Sequence, residues 1–168
     1  MFKIRVMNYR EAFDYVYNHS FISDENNKKF AILSIQDTPA NEMAVGYKAA
    51  GNCLAALNIW FSDLTESGFE DAKKRHPNWI GHMKLINDID AMKIKEFVNY
   101  VSTLDIDMLI IHCRAGQSRS AGVAAAVSVA LFGTDKEYFD DPRYTVNMTV
   151  YRKVLKAFGL DLSSCFSE

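Results

Sequence analysis

The sequence predicts an α/β fold: a mostly parallel central sheet flanked by helices on both faces. Short apolar runs of strand length alternate with stretches of helical periodicity along the chain. The run Met108 to His112 is nearly continuous in apolar residues, as a strand covered on both faces requires. Ala121 to Phe132 is an apolar stretch of helix length closed by Gly133.

The elements follow in order. Phe2, Ile4 and Val6 alternate with polar residues, which predicts a first strand. Asn8 stands three residues before Glu11, the spacing of a capping box, so a helix carrying Ala12, Phe13, Val16 and Tyr17 should begin there. Phe30 to Ile35 reads as a buried strand closed by the turn residues Gln36-Asp37-Thr38-Pro39. Leu54 to Phe61 is another apolar run, ending in Ser62-Asp63. The polar stretch Thr65 to Gly81 carries the run Lys73-Lys74-Arg75-His76 and reads as a mobile connection with at most a helical turn. A helix is expected from Asn87, with Ile89, Ile94, Phe97, Val98 and Val101 as its inner stripe. A final helix is expected over Asn147 to Phe158, ending at Gly159.

The 168 residues, with no internal repeat or Pro/Gly/Ser-rich linker, are expected to form a single domain over 1–168. Nineteen basic residues oppose 21 acidic ones, which argues against a general nucleic-acid binder. No apolar stretch has the length of a membrane span. Three scattered cysteines, Cys53, Cys113 and Cys165, have neither paired nor metal-ligand spacing and point to a reducing, cytoplasmic setting.

Chemistry concentrates in His112-Cys113-Arg114-Ala115-Gly116-Gln117-Ser118-Arg119-Ser120, between the Met108–His112 strand and the following helix. A short loop running into a helix N-terminus can turn successive N–H groups toward an anion, and the helix dipole adds positive potential. Gly116 permits backbone that a side chain would hinder. Arg119 offers a planar fork of donors for two phosphate oxygens. Cys113, at the mouth of this positive loop, would be held as the thiolate, the nucleophilic form. Alone, a strand-end cysteine is usually a small core residue. The combination with Gly, Arg and Ser at a strand–loop–helix junction is far more specific.

This segment resembles the His-Cys-x-x-Gly-x-x-Arg-Ser/Thr signature of the protein tyrosine and dual-specificity phosphatase superfamily, matching every fixed position. Its place late in a short chain is similar to the compact dual-specificity members, and the order of elements from Phe30 to Phe158, including Asn147 in a C-terminal helix, follows theirs. The resemblance implies that Cys113 attacks phosphorus and forms a phosphocysteine. It implies that Arg119 and the amides of Arg114, Ala115, Gly116, Gln117, Ser118 and Arg119 hold the phosphate oxygens. Ser120 would donate to the Cys113 sulfur, and His112 would orient the loop from behind. No cofactor or metal is implied. The expected partner is a phosphorylated protein, phosphotyrosine first, with neither nucleic acid nor membrane; the oligomeric state stays open.

A general acid must protonate the leaving oxygen. The superfamily uses an Asp on a loop upstream of the cysteine, and Asp63, Asp88 and Asp90 are the candidates. Asp88 and Asp90 follow Asn87, where acidic residues also serve to cap a helix and offset its dipole. Asp63 closes a strand in the setting Trp60-Phe61-Ser62-Asp63-Leu64 and leads the three, although a strand-end Asp can also be a turn residue. Its separation from Cys113 is longer than in compact members, which an insertion over Thr65 to Gly81 would explain. Cys53 is expected in the core, with a weaker role as a resolving thiol. Other expectations stay open: a phosphatase of phosphoinositides, nucleotides or RNA 5′ phosphates, a phosphate-binding module without turnover, or another thiol chemistry.

Overall fold

The computed structural model describes residues 2–20, 28–37 and 46–161. Among them, four strands form one sheet in the order β1-β4-β2-β3: β1 (Lys3–Met7), β2 (Phe30–Gln36), β3 (Cys53–Trp60) and β4 (Met108–His112). Every pairing is parallel, with Ile4 and Ala31 flanking Leu109 on the central strand. The expected fold class is borne out.

The near-continuous apolar runs of β2 and β4 follow from burial on both faces. Ala31, Leu33, Leu109 and Ile111 point into a larger core with helices α3 (Asp88–Val101), α4 (Arg119–Phe132) and α6 (Met148–Ala157). Phe30, Ile32, Met108 and Ile110 point the other way, toward Ala12 of α1 (Tyr9–Ser20), Tyr47 and Cys53. The period of two along each strand thus feeds two cores.

The capping box at the start of α1 is reciprocal: Glu11 N–H donates to Asn8 Oδ1 at 2.9 Å and Asn8 N–H to Glu11 Oε2 at 3.0 Å. Helix α4 is apolar on all sides and is buried from Arg119 to Ser128. It starts at Arg119, two residues before the apolar run, and stops at Gly133 in the left-handed conformation. Gly122 lets α6 come close, since a Cβ there would lie 2.9 Å from the Asn147 carbonyl oxygen. The final helix is found as expected, as α6, and Asn147 caps it.

Two expectations need correction. The stretch Thr65 to Gly81 is not a loose connection: it forms α2 (Glu66–Arg75) and a 3₁₀ helix (Pro77–His82). Neither has a buried residue, so no apolar stripe announced them. What forms α2 is local: the Thr65 hydroxyl caps Gly68 N–H, Glu66 stands in the first turn, and Lys73, Lys74 and Arg75 in the last. Lys73 and Arg75 pair with Glu70 and Asp71 one turn back, which turns the charge run into helix-surface ion pairs. In α3 the inner stripe is Ala91, Ile94, Val98 and Val101, while Ile89 is 67% exposed. Ile89 stands five residues before Ile94, about 140° round the helix at 3.6 residues per turn, and so falls off the stripe that Ile94, Val98 and Val101 define. A short helix α5 (Lys136–Asp140) was not foreseen. Among the described residues, no helix is long and apolar enough to cross a membrane.

Candidate active site

Three segments leave the carboxyl ends of neighbouring strands and meet: Cys113 after β4, Asp37 after β2 and Phe61 to Asp63 after β3. Sites of open parallel sheets form at this edge.

The loop from Cys113 to Ser118 runs into α4. Its first half rests on the β1–α1 junction, where Tyr9 N–H donates to the Arg114 carbonyl at 3.2 Å. Gly116 has φ +70, and a Cβ there would fall 2.7 Å from both Asn8 N and Met7 C. Only glycine lets the loop take that conformation and lie that close to main chain. Gln117 and Ser118 carbonyls accept from the N–H groups of Thr145 and Asn147. Among the described residues, none of the amides of Arg114 to Ser118 donates to a protein acceptor. Unpaired, oriented N–H groups ahead of a helix N-terminus make an anion nest.

Cys113 is 2% exposed, and its Sγ lies 3.1 Å from Ser120 Oγ. Ser120 is buried on the first turn of α4, so the helix itself carries the hydroxyl to the sulfur.

Arg119 is buried, yet its guanidinium is fully occupied on one side. Nη1 donates to the carbonyls of Phe61 at 2.9 Å and Gln36 at 3.3 Å, and Nη2 lies 2.6 Å from Asp37 Oδ1. Nε has no partner.

His112 faces away from this cluster, into the smaller core. Its ring packs edge-on against Tyr47, with centroids 5.3 Å apart, and beside Tyr9. Burial, with the Arg119 charge adding, pushes its pKa down to about 4, so the ring is neutral near pH 7. Nδ1 lies 3.4 Å from the Cys113 carbonyl, and Nε2 is buried without a hydrogen-bond partner among the described residues. The ring touches the loop only through that carbonyl.

Of the three acid candidates, only Asp63 is brought to the loop. Its Oδ1 accepts from Ser118 Oγ at 2.7 Å and from Asn147 Nδ2 at 2.9 Å. Oδ2 has no partner among the described residues. Asp90 is spent on the α3 capping box and a 2.7 Å ion pair with Lys84, and Asp88 pairs with Lys153 at 2.8 Å. Asn147 joins the two halves of the site: Oδ1 caps α6 by accepting from Thr149 and Val150 N–H, while Nδ2 holds Asp63. Its place at the start of a final helix was legible in the sequence; its cap role and its hold on Asp63 were not.

The side chains of Arg114 and Gln117 are exposed, as expected of positions whose amides matter most. Cys53 is buried at the start of β3, level with Met108, and burial pushes its pKa up to about 11. It lies at the opposite end of the sheet from Cys113 and two strands across, roughly 19 Å away at ~3.3 Å per residue and ~4.8 Å per strand, so it does not act as a resolving thiol. Cys165 lies outside the described residues.

No family model matches the sequence, and no curated protein matches it. Solved structures do. The crystal structure of DUSP15, a dual-specificity phosphatase, aligns with a TM-score of 0.51 at 16% identity, covering 98% of this chain and 86% of that one. A leucine rich repeat and phosphatase domain containing protein from Entamoeba histolytica aligns with a TM-score of 0.46 at 15% identity, covering 100% and 93%. The chain has the dual-specificity phosphatase fold.

Proposed function

We propose that the chain, as one domain over 1–168, is a cysteine-dependent phosphomonoester hydrolase acting on phosphorylated protein, phosphotyrosine first, in a reducing, cytoplasmic setting. The observation that carries this reading is the loop itself: amides without acceptors among the described residues, opening at a cysteine whose sulfur touches Ser120 Oγ.

In this reading, a phosphate monoester sits on the amides of Arg114 to Arg119 and on the free edge of Arg119. Cys113 Sγ attacks phosphorus as the bond to the leaving oxygen breaks. That oxygen takes the electron pair and a proton from Asp63 Oδ2, the carboxyl oxygen left free while Oδ1 is anchored. In the second step Asp63 takes a proton from water, water attacks phosphorus and the S–P bond breaks. The departing thiolate is stabilised by the Ser120 hydroxyl and the nest. His112 supports the loop through the Cys113 carbonyl and moves no proton.

The test is hydrolysis of para-nitrophenyl phosphate in EDTA by the unaltered chain and by Cys113→Ser. Activity that survives chelation and vanishes in the variant, with phosphate or vanadate binding retained, is expected; turnover by the variant would sink the mechanism. A second reading, a phosphate-binding module without turnover, draws on the occupied guanidinium of Arg119. A folded chain that binds phosphate and hydrolyses no aryl ester would select it.

A further inference from the structure

The two edges of the sheet differ. Beside β3, the Asn58 side chain accepts from Tyr47 N–H at 2.9 Å and donates to the Tyr47 carbonyl at 2.8 Å, which ties a neighbouring segment down. No described strand pairs with the outer edge of β1. Lys3 N–H donates inward, to the Asp107 carbonyl, so the alternation of a strand turns the N–H and C=O groups of Ile4 and Val6 outward. Among the described residues neither of those amides has an acceptor.

That edge borders a groove. Two hollows follow it, the first between Phe2, Lys3 and Ile4 on one wall and Phe132 and Lys136 on the other. The second has Ile4, Arg5 and Val6 on one wall and Tyr138 and Arg143 on the other. Ile4 and Glu137 line both, so the hollows adjoin. Residues from both faces of the strand line them, which puts the groove at its edge. The five residues of β1 span about 17 Å, the length of a common strand.

We propose that the outer edge of β1 binds an extended segment of a protein partner as a further strand, one in which acidic and apolar residues alternate. The inference rests on this edge and not on the chemistry of the loop. Outward main-chain groups call for a partner whose own backbone is extended. Lys3 and Arg5 share one face, exposed and without an ion pair among the described residues, so acidic side chains fit opposite them. On the other face Phe2, Ile4 and Val6 pack toward the larger core, and Phe132 is 37% exposed, so apolar side chains fit there. Acids on that side would meet Asp140 and Asp141, which already pair with Lys136 and Arg143. A second copy fits poorly. Two antiparallel β1 strands, in registers that pair most of the strand, set Lys3 against Arg5 or Arg5 against itself, and like charges directly opposite destabilise a pair. Charges at an edge also serve simply to block self-pairing, but a blocked edge needs no walled groove.

The probe is a fluorescein-labelled peptide of alternating glutamate and valine, titrated with the full chain and followed by fluorescence anisotropy. It is compared with a peptide carrying lysine for glutamate, and with the glutamate peptide methylated on every backbone nitrogen. The glutamate peptide is expected to bind at least roughly tenfold tighter than either, since cross-strand charge pairs and the main-chain ladder are at stake. The double variant Lys3→Glu with Arg5→Glu, checked for a cooperative melt, should prefer the lysine peptide by a similar factor. Hydrogen exchange of the Ile4 and Val6 amides should slow at least roughly tenfold in the complex. Absence of binding by the unaltered chain, equal binding of the glutamate and lysine peptides, or binding that N-methylation leaves unchanged overturns the proposal. So does a dimer in sedimentation whose Ile4 and Val6 amides are protected without peptide, since a second copy would then hold the edge. None of these failures touches the phosphatase reading, which hydrolysis of para-nitrophenyl phosphate tests separately.

Discussion

From Cys113 to Gly116 the loop rests on nearby main chain, whereas from Gln117 to Ser120 its own side chains and carbonyls reach out to distant segments. The first half lies against Met7 and Asn8 so tightly that no Cβ fits at Gly116, and Tyr9 N–H fixes the Arg114 carbonyl. The second half is tied through Ser118 to Asp63, through Arg119 to Asp37, Gln36 and Phe61, and through its carbonyls to Thr145 and Asn147. Main-chain contacts set a shape that tolerates side-chain change anywhere except at the glycine. Side-chain contacts tie that shape to particular residues, and so to the acid and the anion. The first half is therefore a rigid floor, and the second couples the loop to chemistry.

The largest effect is expected where the second half meets the acid. Asp63→Asn should lower kcat for poor leaving groups by roughly 10²–10⁴-fold while leaving anion affinity nearly unchanged. Steady-state kinetics with aryl phosphates of graded leaving-group acidity check this; an unchanged rate would return the role to Asp88 or Asp90, despite their ion pairs. Gly116→Ala strikes the floor instead. With backbone at 2.7 Å and φ +70, the loop must move, at a cost of about 1–3 kcal/mol in stability. Anion affinity and turnover should then fall together, for every leaving group, by at least roughly tenfold. Calorimetry of oxyanion binding beside a denaturation curve separates this pattern from that of Asp63.

The smallest effect on activity concerns His112, beneath the first half. Its native pKa of about 4 lies below the ordinary histidine value of 6.5, so between those values the unfolded chain binds more protons than the native one. Stability contributed by the neutral ring is complete above about pH 6.5 and is lost as pH falls through about 4, up to about 3 kcal/mol in all. His112→Gln should flatten the fall of the unfolding free energy between pH 6.5 and 4 without changing kcat at neutral pH. An equally steep fall in the variant would assign the acid sensitivity to other groups.

How much was legible follows from how far each signal reaches. Asn8 with Glu11 and Asn87 with Asp90 cap their helices within a few residues, so their spacing alone marked them. The buried runs of β2, β4 and α4 were legible because burial on all sides leaves an unbroken apolar string. Helix α2 was misread because it buries nothing and stands on a cap and ion pairs, which in sequence look like a solvated charge run. Ile89 was misplaced because its apolar character suggested a core position that the helix phase denies it.

The sequence by itself determined the parallel α/β architecture and the location of the anion loop, because strand, glycine, arginine and helix start are contiguous and their physics is local. Tertiary structure decided which carboxylates serve that loop. Asp63 reaches Ser118 across 55 residues, and Arg119 reaches the Gln36 carbonyl across 83, with Asp37 beside it. Such pairings depend on strand order and on which strand ends lie side by side. That is settled by packing the sheet between its two layers of helices, and no spacing along the chain records it.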